Sequence, residues 1–305
     1  MTLAIPTTIA DPPRSAVSPA IAARRGSARL AFAATHDGGT YLIDQYSTHP
    51  YHLCRVLRLP QHPPGMAHLY LMSSAGGLFA GDDLHHRIEV RPGARAHVST
   101  QASTIVHAGD PGPAVQATHL RVEADATLEY WPDPTILMRH AALDSRTTVI
   151  CDDRAGLLLL EAILTHDPRL SADHPGSSPS DGTQARLETS IESTDGSVIA
   201  RERLSINQFS LDRLAASCGW RSAVVASAVW LPPPDRVGPA HALAAWRDVM
   251  PCKDGLIGVS SLRHNRGVSA RIIAADGVAL RDLTHALWCR AREAQGDPIP
   301  AAPRK

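Results

Sequence analysis

Glutamate is out of place in the run Gly156–Thr165, GLLLLEAILT, the most apolar stretch of the chain, yet Glu161 sits in it. Such a run reads as a strand buried on both faces. An isolated carboxylate there costs several kcal/mol unless it is paired, hydrated or metal-bound. Glu129 is placed similarly between Leu128 and Tyr130, just ahead of the rigid Pro132-Asp133-Pro134 turn, and Asp82 and Asp83 close a glycine-rich turn. Two chemistries suit these acids. Paired carboxylates such as Asp82 and Glu129 are the machinery of glycoside hydrolysis. Alternatively, carboxylates and water form weak oxygen sites that pass a metal cation along, where Cys or His clusters would retain it. Each acid also has a plain structural use: Asp82 accepting turn N–H bonds, the glutamates pairing with Arg154 or Arg146. The sixteen histidines are dispersed, and His85 and His86 point to opposite faces of a predicted strand, so they cannot chelate one ion together. No GxSxG, HExxH, P-loop or CxxC is present.

The elements that must position these acids are mostly strands. In residues 74–101 a turn, Gly76-Gly77-Leu78-Phe79-Ala80-Gly81, leads into Leu84, His86, Ile88 and Val90, which alternate with polar residues. Pro92-Gly93 then makes a turn and Ala96, Val98 and Thr100 continue the alternation, the local pattern of a β-hairpin. The glycines are expected to serve the backbone through positive φ, since the turn precedes a strand and offers no helix N-terminus to an anion. A loose repeat follows, in which turns near residues 91–95, 123–126 and 151–155 each join two apolar strands, as stacked β coils or a layered sheet would require. Further strands are predicted at 29–33, 40–46, 52–59, 68–73, 186–193, 198–206, 221–231 and 268–274. Two helices are predicted. One starts at Pro239, with Leu243, Trp246 and Met250 on one face, and stops at Pro251; the other runs from Leu280 to Arg292. The fold class is therefore mainly β, layered or stacked sheets (β-helix-like or a sandwich) with two helices near the C-terminus. Residues 1–26 and 293–305 read as disordered tails flanking one domain, 27–292, with a polar loop at 171–184.

Composition narrows the function. Formal net charge is zero and aromatics make up 4% of the chain, with no basic stripe, which argues against nucleic acid. Five scattered cysteines, the lack of a secretion signal and the lack of a long apolar run point to a cytoplasmic protein with no membrane span. Only three Phe, five Trp and five Tyr are available, few for the aromatic platforms of a sugar groove.

Five motifs in order carry a resemblance. They are Gly76, Gly77, Leu78, Gly81 and Asp82, then Pro92-Gly93-Ala94 and Thr100-Gln101; Leu128-Glu129-Tyr130 with Pro132-Asp133-Pro134-Thr135-Ile136-Leu137; Glu161; Arg201-Glu202-Arg203; and Asp276 to Trp288. Together they resemble the UreD (UreH) family of urease accessory proteins over residues 27–292. In place of the family's GR-x-x-x-GE turn stands His166-Asp167-Pro168-Arg169 and a longer polar segment. The resemblance implies a non-catalytic scaffold and metallochaperone that assembles with UreF and the GTPase UreG on urease apoprotein. It implies no permanently bound cofactor and transient nickel(II) carried along an acid-lined passage, for which Asp82, Asp83, Glu129, Asp133 and Glu161 are the candidates. It also makes Leu283, Leu287 and Trp288 a candidate anchor for the helical UreF. The alternatives are a β-stacked carbohydrate-active enzyme and a pure interaction scaffold.

Overall fold

The structure is a computed structural model that describes residues 23–59, 62–166 and 182–299. Its chain shuttles between two sheets. Sheet A holds β5 (Asp83–Val90), β8 (Ala114–Val122), β11 (Ala142–Cys151) and β13 (Gln184–Ser193), all parallel. Sheet B holds β4 (Ala67–Ser73), β6 (Arg95–Thr100), β9 (Thr127–Tyr130) and β12 (Gly156–His166), also parallel. Because consecutive strands lie in opposite sheets while each sheet stays parallel, the centre of the molecule is a stack of β coils. β1 (Arg25–Ala34) adds one more parallel strand beside β5, and antiparallel strands then finish the edges: β2 (Thr40–Ser47) beyond β1 at one side of sheet A and β14 (Val198–Asn207) at the other. In sheet B, β3 (Tyr51–Leu53) flanks β4, while β15 (Val224–Leu231), β17 (Val268–Ala274) and β16 (Gly255–Ser261) follow β12.

The Pro92-Gly93 turn is thus a corner between sheets, which corrects the hairpin reading: β5 and β6 never pair. The repeat seen in the sequence marks three stacked corners. Thr127 N–H donates to the Ala94 carbonyl at 2.9 Å and Gly156 N–H to the Ala126 carbonyl at 2.8 Å. Ala94, Ala126 and Ala155 occupy the equivalent corner site and are buried, since only a methyl fits where successive corners lie one on another.

On the return path the ladder of sheet B is interrupted. After β6, residues 101–103 leave it, and β7 (Thr104–Val106) resumes pairing; after β9, residues 131–134 leave it, and β10 (Thr135–Met138) resumes. Pro132 and Pro134 lack the N–H that a ladder needs. β12 runs unbroken past both gaps, pairing with β9 through Leu159 and with β10 from Ile163.

Among the described residues there are three α-helices, one more than expected. The additional one is α1 (Gln208–Cys218), capped by Asn207 with a reciprocal Ser210 bond and closed by Gly219 in the left-handed region. It buries only Leu211 and Ala215, so no apolar stripe announces it. Helix α2 (Pro239–Arg247) ends before Met250, which is exposed and not part of the buried face. Helix α3 (Gly277–Ala294), N-capped by Asp276, packs with α2 on the outer face of sheet B. β1 starts at Arg25, inside the expected N-terminal tail. Residues 293–299 are likewise held, by Asp297 bound to Arg95 and Arg236. Most of the 171–184 loop lies outside the described residues, and β13 already begins at Gln184.

Candidate functional site

Alternation along β12 explains where Glu161 points. Leu158, Leu160 and Ala162 join the core under the helices, whereas Leu157, Leu159 and Ile163 face sheet A, and Glu161 shares their face. Sheet A answers with a polar row. His86 of β5 lies beside Thr118 of β8, Thr118 beside Thr147 of β11, Thr147 beside Thr189 of β13, and Thr189 beside Glu202 of β14. On β5 and β13 the next inward residues are apolar on both sides, Leu84 and Ile88, Leu187 and Ile191; on β8 and β11 they are Leu120 and Val149 on one side and the polar Gln116 and Ser145 on the other. A polar belt therefore crosses the space between the sheets and divides the inter-sheet core in two.

Within this belt is a cavity of about 280 Å³, lined by His86, Gln116, Thr118, Tyr130, Ser145, Thr147 and Glu161. Its rim includes Gly76, Gly77, Gln101, Ser103, Pro132 and Asp133, so it opens at the two gaps in sheet B. The glycine turn is stitched to that rim. Leu78 N–H donates to the Ile105 carbonyl at 2.8 Å, and Gly77, at φ 134°, would drive a Cβ to within 2.2 Å of the same oxygen. Positive φ at Gly76, Gly77 and Gly81 agrees with the backbone role expected of them. Asp133 N–H donates to Thr100 Oγ1 at 2.9 Å, and Thr135 opens β10, which gives the Thr100-Gln101 and Pro132–Thr135 motifs a shared task of shaping the opening.

Glu161 is enclosed by protein but keeps accessible surface because it faces the cavity. Thr147 Oγ1 donates to it at 2.8 Å and Thr189 Oγ1 donates to its other oxygen. Burial, and then nearby Glu202, push its carboxyl above the ordinary range despite these two hydroxyls. His86, buried, has hydroxyls of Thr118 and Tyr130 at 3.5 Å from Nδ1, while its Nε2 has no hydrogen-bond partner among the described residues. Burial lowers its pKa to about 4.

Of the other candidate acids, Asp82, Asp83 and Glu129 do not join Glu161 at the cavity. Asp82 is fully buried against Arg24 and accepts the Phe79 N–H at 2.7 Å; burial opposes its ionisation, but these bonds hold it below the usual carboxylate range. Glu129 points to the opposite face of sheet B. There Arg292 reaches it at 2.7 and 2.9 Å, His97 at 2.7 Å and Trp288 Nε1 at 2.9 Å. Burial would raise its pKa, yet Arg292 and His97 keep it well below normal. Asp83, half exposed, meets His85 at 2.9 Å. Only Glu161 and Asp133 line the cavity, and the expected partners Arg154 and Arg146 pair instead with Asp125 and Glu188. Asp82 and Glu129, each saturated by its own arginine, also cannot act as a catalytic pair.

Leu283, Leu287 and Trp288 are corrected likewise: all three are buried in the chain's own core, Trp288 being 4% exposed, so they form no surface anchor. Sequence reading missed the hydroxyl row, because threonine at alternate strand positions is ordinary β chemistry. Among the described residues no three His, Cys, Asp or Glu side chains converge as a ligand cluster, and no helix is long and apolar enough to cross a membrane.

Comparison with known proteins assigns the chain. The family described as "UreD urease accessory protein" matches residues 24–305. Urease accessory protein UreD 1 of Pseudomonas syringae pv. syringae is 38% identical over 283 residues, covering 92% of this chain and 95% of that protein. Its namesake in Pseudomonas syringae pv. tomato is 35% identical over 92% of this chain and 96% of that protein, and that of Methylorubrum populi is 36% identical over 84% of each. The chain belongs to the UreD family of urease accessory proteins.

Proposed function

We propose that this chain serves urease maturation by passing nickel(II), its cargo, through the inter-sheet cavity, with Glu161 as the internal station. In this reading it acts without catalysis while assembled with UreF and UreG on urease apoprotein, in the cytoplasm. The observation that supports it is the contrast among three buried acids. Asp82 and Glu129 are each neutralised by an arginine; Glu161 faces the cavity with only hydroxyls on it. An enclosed carboxylate without a counter-ion is costly to keep ionised, and a passing dication supplies the missing charge. Carboxylate, hydroxyl and water ligands bind nickel more weakly than thiolate or imidazole clusters, which suits a station that must release.

Glu161→Gln keeps the shape and removes the charge. In a reconstitution of apo-urease with UreF, UreG and nickel, this variant is expected to co-purify with its partners and to deliver at least about fivefold less nickel per urease active site. Normal nickel loading would overturn the passage and leave a pure interaction scaffold as the reading.

A further inference from the structure

The polar belt does not end at Glu161. Across sheet B, Glu161 lies beside Ser227 of β15 and Ser227 beside Arg271 of β17, while the row in sheet A ends at Glu202. These ends meet: Ser227 Oγ donates to Glu202 Oε2, and Arg271 lies 2.9 Å from Glu202 Oε1. Between the two glutamates is a second, narrow space of about 10 Å³, lined by Glu161, Thr189, Glu202 and Ser227 with Ile163, Leu187, Leu204 and Val225. That is room for about one water, against about 280 Å³ on the other side of Glu161.

We propose that Glu202 is a second cation station and Arg271 its gate: a divalent cation leaves Glu161 by taking the place of the Arg271 guanidinium on Glu202. This rests on the reading that a cation crosses the cavity, and it adds a direction and a filter. In the neck, two carboxylates and two hydroxyls replace most of the hydration shell, so the ligand class is a divalent cation able to exchange water for oxygen donors. Arg271 is half exposed, and a surface pair of this kind separates easily. The far end of the same row supplies an independent sign of a polar ligand: His86, 4% exposed, borders the cavity with Nε2 unpartnered.

The test uses tag-free full-length protein titrated with nickel chloride alone, followed by calorimetry. Arg271→Gln is expected to bind nickel about tenfold more tightly than wild type, since a positive charge in contact with the station is gone. Adding Glu202→Gln is expected to abolish the gain, and Arg271→Lys, which keeps the cation, to match wild type. Equal affinity of Arg271→Gln and wild type, or a gain that survives in the double variant, would overturn the gate. Neither result touches the nickel-delivery assay of Glu161→Gln, so failure of the gate and failure of the passage are separable. Thermal melts of each variant confirm that the folded protein is being titrated.

Discussion

At the scale of single residues, the carboxyl of Glu161 couples the cavity to stability. Its pKa is raised in the fold, chiefly by burial. Its stabilising contribution is therefore complete below the unfolded value of about 4.3 and is lost as pH rises through the higher folded value. Glutamine escapes that loss. Metal-free Glu161→Gln is expected to melt above wild type at about pH 7, by about 1.4 kcal/mol per unit of elevation, with the difference fading toward about pH 4. A difference independent of pH, or a lower melt at neutrality, would argue against a strained carboxylate. Glu161 was legible in the sequence because a charge in a leucine run is conspicuous. Glu202 was not, since in Arg201-Glu202-Arg203 nothing marks the middle residue as the inward one. Only the pairing of β13 with β14 sets Thr189 beside it.

At the scale of elements, helix α3 is locked to sheet B by a buried ion pair. Arg292 is fully buried, its guanidinium 4.2 Å from the Trp288 ring, and both side chains bond to Glu129. His62 and His68 pack beside them, their pKa values lowered by burial to about 4 and about 2. Arg292→Ala leaves Glu129 charged and enclosed with no guanidinium, and is expected to cost about 3–5 kcal/mol in denaturant unfolding. Replacing both partners by apolar residues of similar size should recover most of that loss. An Arg292→Ala protein as stable as wild type would show that the pair is idle. The amphipathic pattern of α3 was readable from its leucines, but the destination of its apolar face was not. A helix that serves its own core and one that serves a partner share the same stripe. Here Trp288 is committed inward by a carboxylate on a strand 159 positions away in sequence.

At the scale of the whole molecule, alternation and turn chemistry announced a β-rich chain, and the three polar turns announced its repeat. What local pattern cannot distinguish is a hairpin from a corner. Pro92-Gly93 turns the chain in either case, and only pairing between coils decides that β6 joins β4 and β9 in the opposite sheet. The cavity was hidden for the same reason. It is assembled from one or two inward residues on each of several strands, with an opening made where two neighbouring coils drop out of the ladder together.

That arrangement sets rules for how the chain tolerates changes in length. The hydroxyl row exists only while several strands stay in phase, and side chains alternate with a period of two. One residue added inside β8, between His119 and Leu120, turns either Thr118 and Gln116 or Leu120 and Val122 out of the interior. One residue added in the exposed return near Asp110 leaves every strand in phase. The first insertion is expected to abolish cooperative melting and the second to leave it nearly unchanged. Equal damage from both would mean that register is not what holds the belt together. Growth and shrinkage of this chain are thus confined to its returns, while the coils that carry the polar belt behave as a ruler of fixed length.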